Sequence, residues 1–435
     1  MTSIMLLNLK RANEQMEKLD LDSLIATTPA NVTYFTGFPA YANYFPPPGG
    51  VAQETQIYSI LPKHGKPVLV IPFTGFAAAK HAGVHENQIE IYGIFNPNGA
   101  PCKIDESKTT TTEEEILQTL LSAPVIQAKS ALEAVVRVIK KLGLEEGCNG
   151  IESISPGLNQ TFSEEFPKMS YGRAPEVIRF IKMVKTDEEV SRLRRAAEIT
   201  EHSMNTLFDH MKPGVTGNNL YEIYKKEISQ RGGYPPTRIL CSPGSSGGSM
   251  PFLLSNYPIK QGDLVWVDCG CSFEAYRGDT GETAVISSPS KKQVDTYEAS
   301  RLVVDTSEKT AAPGMKPSEL LKTLVNIWEK KGVPKEGALG YGHGLGMEVD
   351  YPITQFLRGN EFGRGDKPYV DNPSAISDDY LKNSFDIPFE AGMVMAFEAP
   401  YAVWGWGGSQ VEMTYLMTNS GCKPLIPYER YLRQL

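Results

Sequence analysis

In the stretch Leu264–Val285, LVWVDCGCSFEAYRGDTGETAV, four apolar residues run directly into a carboxylate at Asp268, and a second carboxylate follows at Asp279. A charge at the end of a buried strand is costly unless a counter-charge or a metal ion meets it. Read as an antiparallel hairpin with Asp268 opposite Asp279, the stretch leaves Ser272–Ala275 as its loop and turns both carboxylates to one face. Cys269 and Cys271 do not share that face with Asp268, so they are not ligand candidates.

The pattern recurs near the C-terminus. The apolar strand MVMAFE ends at Glu398, and SQVEMTYLMT carries Glu412 beyond a turn. Opposing these two glutamates leaves Trp404-Gly405-Trp406 as a three-residue loop, with Gly405 available for a left-handed conformation. The segments before the two hairpins are also alike. Met211–Gly233 and Ala311–Val333 each hold a Pro-Gly turn, an amphipathic helix and a closing glycine, which reads as an internal duplication.

Four carboxylates on one face repel, and two divalent cations about 3.5–4 Å apart would cancel the charge. A nitrogen ligand is expected beside them. His64, His81 and His85 lie in the first part of the chain and His202 and His210 in a helix, which leaves His343, set among glycines in GYGHGLGMEVDYP. Oxygen-rich sites with one imidazole suit Mn, Fe, Co or Zn.

The 435 residues suffice for two domains, and a formal net charge of −8 argues against nucleic acid as a partner. No apolar run is long enough to span a bilayer and no signal peptide is evident, so the expectation is a soluble, cytoplasmic chain. The six cysteines form no C-x-x-C pair and are expected to be reduced thiols. The first part of the chain alternates helical and strand-like patterns: NLKRANEQMEKLDLD is helical, SLIATT and VTYFTGF are strand-like, IYSILPKHGKPVLVIP is two strands around a turn, and SALEAVVRVIKKLGL is helical. TTTTEEEILQTLL reads as a helix start. The division expected is an α/β domain over 1–170 and a second domain over 176–435, opened by a long helix with Thr186 and Glu189 as a capping box.

Asp268, Asp279, His343, Glu398 and Glu412 resemble, in order and local context, the five metal ligands of the creatinase/prolidase/methionine aminopeptidase family. GDLVWVDCG, GHGLG, PFEAGMVMAFE and a Gly-Gly-x-x-x-Glu ending support the match, and NVTYFTGF and VIRFIKMVKTDEEVSRLRRAAEIT are similar to the family's N-terminal domain and linker helix. The resemblance implies an α+β pita-bread catalytic domain, two divalent metal ions and a homodimer, in which the first domain of one subunit closes the other's site and could return His81 or His85 to the chemistry.

Three positions depart from the family's peptidases. No histidine precedes the Gly-Asp-Leu strand, Asp350 stands where a second histidine is found, and Glu282 replaces an arginine. Glu398, Glu412, Asp350 and Tyr351 are then the candidate proton carriers, and Tyr401, Trp404, Trp406 and Arg238 candidate substrate-pocket residues. The departures favour an enzyme of small non-peptide metabolites, hydrolysing a C–N bond or eliminating a sulfide as creatinase and dimethylsulfoniopropionate lyase do. The alternatives are an Xaa-Pro dipeptidase or aminopeptidase and a catalytically dead binding protein. The polar span 357–387 reads as an irregular insertion, a lid or an oligomer contact.

Overall fold

The computed structural model of the chain describes residues 6–40, 56–93, 114, 128–236, 240–249, 256–353 and 386–435. The insertion at 357–387, but for its last two residues, and the helix start at TTTTEEE, but for Glu114, lie outside them. The chain divides into two compact units, the first running to Ile181 and the second starting at Lys182.

In the first unit, strands β1 (Ser23–Ala26), β2 (Tyr58–Pro62), β3 (Val68–Pro72), β4 (Ile89–Tyr92), β5 (Cys148–Ile151) and β6 (Ser170–Arg173) form one mixed sheet in the order β4-β3-β2-β1-β5-β6. Its helices are α1 (Leu9–Lys18), α2 (Pro29–Thr36), α3 (Phe76–His81), α4 (Ala131–Leu142), α5 (Pro156–Glu165) and, at the junction, α6 (Pro175–Lys182). Val135, Val138 and Ile139 of α4 and Leu158 and Phe162 of α5 pack on Ile25, Ile60 and Val70 of the sheet.

One expectation fails here. VTYFTGF is strand-like by composition, yet its first residues belong to the helix α2. Local caps outweigh the β-branched and aromatic content: the Thr28 hydroxyl accepts the Asn31 N–H, Pro29 occupies the first turn, and Gly37 closes the helix at φ 73°. Glu152 secures the helix entrance by accepting the backbone N–H groups of Thr27 and Thr28 at 2.8 and 2.9 Å.

The second unit opens with α7 (Asp187–His210), whose capping box joins Thr186 and Glu189 as the sequence indicates. Beyond it come α8 (Gly217–Gln230), β7 (Leu240–Pro243), the short α9 (Ser246–Ser249), β8 (Leu264–Phe273), β9 (Tyr276–Val285), α10 (Lys291–Thr310) and α11 (Pro317–Lys330). Strands β10 (His343–Leu345), β11 (Val349–Ile353), β12 (Val394–Glu398), β13 (Tyr401–Val403), β14 (Gly407–Ser409), β15 (Glu412–Thr418), β16 (Gly421–Pro424) and β17 (Arg433–Gln434) complete it. Among the described residues the main sheet runs β11-β10-β12-β15-β9-β8-β7, with β16 added to β15 and β17 to β9.

Helices α7 and α8 cover one face of β8 and β9. Leu207, Phe208, Tyr224 and Ile228 bury Val265, Val267, Cys269 and Cys271, which leaves the alternate residues of these strands for the opposite face. The two similar segments found in the sequence become α8 and α11, and their turn glycines adopt matching left-handed conformations, φ 93° at Gly214 and 89° at Gly314.

Candidate metal centre

Each carboxylate is delivered by its strand. In the β8–β9 hairpin Asp268 pairs with Gly281 and Asp279 with Gly270, so the two acids are diagonal neighbours rather than the directly opposed pair expected. The cause is the turn: only Glu274 and Ala275 separate the strands, at φ 46° and 76°, a left-handed two-residue turn whose twist matches that of the strands. The slip is of two residues, an even number, so both side chains keep the same face.

The second hairpin follows its expected register. Glu398 pairs with Glu412, Val403 pairs with Gly407, and Trp404–Trp406 form the loop, with Gly405 at φ 75°. One pairing, Gly281 with Glu412, joins the two hairpins and brings the four acids together.

His343 sits on β10, paired with Ala396 of β12. Its Nδ1 lies 3.0 Å from the Gly344 carbonyl, which only accepts, so Nδ1 is the donor there and Nε2 is the nitrogen that faces Asp279 Oδ2 at 3.7 Å. Ligand atoms of Asp279, His343 and Glu412 lie within 4.8 Å of one another, as do those of Asp268, Glu398 and Glu412. Glu412 belongs to both clusters.

The electrostatics are those of a site built for cations. Burial raises the Asp268 carboxyl well above its usual range, and Asp279 and Glu398 raise it further. Glu412 is raised likewise, by burial first and then by Asp279, Asp268 and Glu398. Asp279 is pushed up to about 6 by burial and by Glu398, while His343 and Arg277 oppose the shift. Among the described residues, Arg430 opposes the shift at Glu412. Four carboxylates and one imidazole nitrogen in two overlapping groups therefore fit a pair of divalent metal ions.

The other expected site residues fare differently. Asp350 is not a solvated base: its Oδ2 lies 2.7 Å from Lys185 Nζ, and the side chains are 3% and 1% exposed. The three aromatic residues have different surroundings among the described residues. Tyr401 is stacked on Trp328 with ring centres 5.1 Å apart, Trp404 is 79% exposed at the hairpin tip, and the Trp406 ring lies beneath Lys292 Nζ at 4.3 Å. Arg238 and the Tyr351 side chain lie outside the described residues. Glu282 is buried on the α7 side of β9, where it meets Arg430.

Two residues near the metal face were missed. Gln410 is fully buried with its amide Nε2 among the carboxylates, and Thr283 anchors the Gln410 backbone. Gln410 stands two places before Glu412, the spacing that puts residues on one face of a strand, so alternation alone contains the signal.

A two-unit chain whose second unit gathers four acids and a histidine on one sheet face is a metalloenzyme scaffold. The chain belongs to the metallopeptidase family M24, whose pattern matches residues 191–419, and the creatinase/prolidase N-terminal domain matches residues 8–195. Members of this family are metal-dependent hydrolases. Among curated proteins, the Xaa-Pro dipeptidase of Pyrococcus furiosus is 24% identical over 326 residues, covering 74% of this chain and 84% of the relative. An uncharacterized peptidase of Staphylococcus aureus is 23% identical over 424 residues, covering 96% and 98%. Among solved structures, the prolidase from Pyrococcus horikoshii superposes with a TM-score of 0.70 at 20% identity, covering 98% of this chain and 99% of the other. The X-Pro aminopeptidase from Thermotoga maritima gives 0.70 at 16%, with 98% and 99% covered. The fold is the pita-bread fold preceded by a creatinase-type N-terminal domain.

Proposed function

We propose that this protein is a dinuclear-metal hydrolase of short peptides, with Xaa-Pro dipeptides as its substrate class. The observation that carries the reading is the pair of overlapping ligand clusters sharing Glu412, in a chain whose matched relatives include proteins named Xaa-Pro dipeptidase. The preference for a small non-peptide substrate rests on missing histidines, and none of the relatives or solved structures cited above is named as a lyase or a creatinase. The peptidase alternative therefore takes precedence.

In this reading Asp268, Asp279, His343, Glu398 and Glu412 hold two divalent ions drawn from Mn, Fe, Co and Zn. Bound there, the ions would supply Lewis acidity toward a carbonyl group and cancel the acids' mutual repulsion. The protein's own residues have separable tasks. His343 is fixed as a nitrogen donor by the Gly344 carbonyl. Glu398 and Glu412 are the proton carriers, since Lys185 engages the Asp350 carboxylate. A homodimer and a cytoplasmic location belong to the same proposal, and among the described residues no helix is long and apolar enough to cross a membrane.

The test is an assay of protein reconstituted in turn with Mn, Fe, Co and Zn, over Xaa-Pro dipeptides and over small amide, guanidino and sulfonium compounds. Dipeptide hydrolysis with kcat/KM of about 10⁴ M⁻¹s⁻¹ or more is expected. Turnover confined to the second set would return the reading to a small-metabolite enzyme.

A further inference from the structure

Gln410 occupies a position that the five candidate ligands do not explain. It is fully buried, and its Nε2 lies 3.3 Å from Glu398 Oε2, 3.5 Å from Asp268 Oδ2 and 3.5 Å from Glu412 Oε2. These are the three acids of one ligand cluster, the one that lacks a nitrogen. Asp279 and His343, which distinguish the other cluster, receive no hydrogen bond from this amide among the described residues.

The placement is built in from several directions. The Gln410 N–H donates to Thr283 Oγ1 at 2.8 Å, and the same hydroxyl donates to the Gln410 carbonyl at 2.8 Å. Opposite, a Cβ on Gly281 would stand 2.3 Å from Gln410 Cγ, so the strand leaves out a side chain where the glutamine passes. Gln410 Oε1 meets no hydrogen-bond partner among the described residues. Burying an unsatisfied amide oxygen costs free energy, which is compatible with an amide whose position serves the acids rather than the core.

We infer that Gln410 is a positioning residue for the all-oxygen cation position formed by Asp268, Glu398 and Glu412. The inference rests on the metal centre proposed above and extends it. A neutral N–H₂ group directed at three carboxylate oxygens restrains their rotation and relieves their repulsion without adding a positive charge that would oppose a cation.

Outer partners that orient ligands typically alter metal affinity by about 10–100-fold when removed. The two cation positions should therefore respond unequally to loss of the amide.

The full chain, stripped with a chelator, is titrated with Mn²⁺ and with Co²⁺ in a calorimeter, as wild type, Gln410→Met and Gln410→Glu. Wild type should bind two ions. Gln410→Met, of similar shape, should bind one ion with affinity within about threefold of wild type and the second about 10–100-fold more weakly. Gln410→Glu, which restores a polar group and adds a negative charge, should bind the second ion at least as tightly as wild type. Two ions lost or weakened equally in Gln410→Met, or neither affected, would overturn the role of Gln410 while leaving the centre intact. Fewer than two ions in wild type would overturn the centre itself and this inference with it.

Discussion

Lys185 Nζ lies 2.7 Å from Asp350 Oδ2 in an ion pair that is almost fully shielded from solvent. Lys185 precedes α7, and Asp350 lies on β11 beside β10, the strand of His343, so the pair ties the entrance of the second unit to the edge of its sheet. The Lys185 N–H also donates to the Gly392 carbonyl at 2.9 Å. Removing one member strands the other charge in a dry environment, whereas removing both does not. Lys185→Met should cost about 3–5 kcal/mol in the denaturant transition of the second unit, and Lys185→Met/Asp350→Leu should recover most of it. Equal losses in the single and double variants would show that the pair matters only for packing.

Glu412 is common to both ligand clusters, Asp268 to one, and Cys269 to neither. Elemental analysis after reconstitution should accordingly find Glu412→Ala deficient in both ions and Asp268→Ala in one. Cys269→Ser should retain the wild-type content, because the thiol is turned into the core beneath α7 and α8. Metal loss in Cys269→Ser at unchanged stability would contradict the strand alternation on which the ligand set rests.

Much of this site is legible in the sequence because strand geometry has a period of two. That period assigns Asp268, Asp279, Glu398 and Glu412 to one face even where the register is misjudged, since the slip in the β8–β9 hairpin is even. The turn itself was misread because neither Glu274 nor Ala275 announces a left-handed conformation. VTYFTGF was misread because side-chain composition was weighed above the Thr28 and Gly37 caps. Lys185 with Asp350, and Arg430 with Glu282, could not be paired in advance: each partner lies more than a hundred residues away, and only the tertiary fold brings them together.

Glu189 accepts the Thr186 N–H with Oε2 and the Tyr276 hydroxyl with Oε1. Burial pushes its carboxyl up to about 7, with Asp350 adding to the shift and Lys185 opposing it. The folded state therefore retains a proton that the unfolded chain releases near pH 4.5, and stability falls as pH rises between those values. Glu189→Gln keeps a neutral side chain of the same shape and removes this dependence. Its stability relative to wild type should climb by about 3 kcal/mol from pH 4.5 to 7 and level off above. Parallel stability curves for the two proteins across that range would show that Glu189 is ionised in the fold.

Arg430 reaches from the C-terminal segment under β9, where its Nη2 donates to Glu201 Oε1 at 2.5 Å and Thr280 Oγ1 at 2.8 Å, while Nη1 stands 3.9 Å from Glu282 Oε2. Burial raises the Glu282 carboxyl to about 7 even with Arg430 opposing the shift. Arg430→Met removes that opposition, so the folded-state value rises further above that of the unfolded chain. A carboxyl raised in the fold penalises the folded state only where the unfolded chain has lost its proton, which means above about pH 4.5. The deficit of Arg430→Met should thus be about 3–5 kcal/mol at pH 8 and shrink toward pH 5, and adding Glu282→Gln should restore part of it at pH 8. Unfolding measured at both pH values decides the matter, since a deficit independent of pH and untouched by Glu282→Gln would mean that Arg430 acts through its aliphatic packing alone.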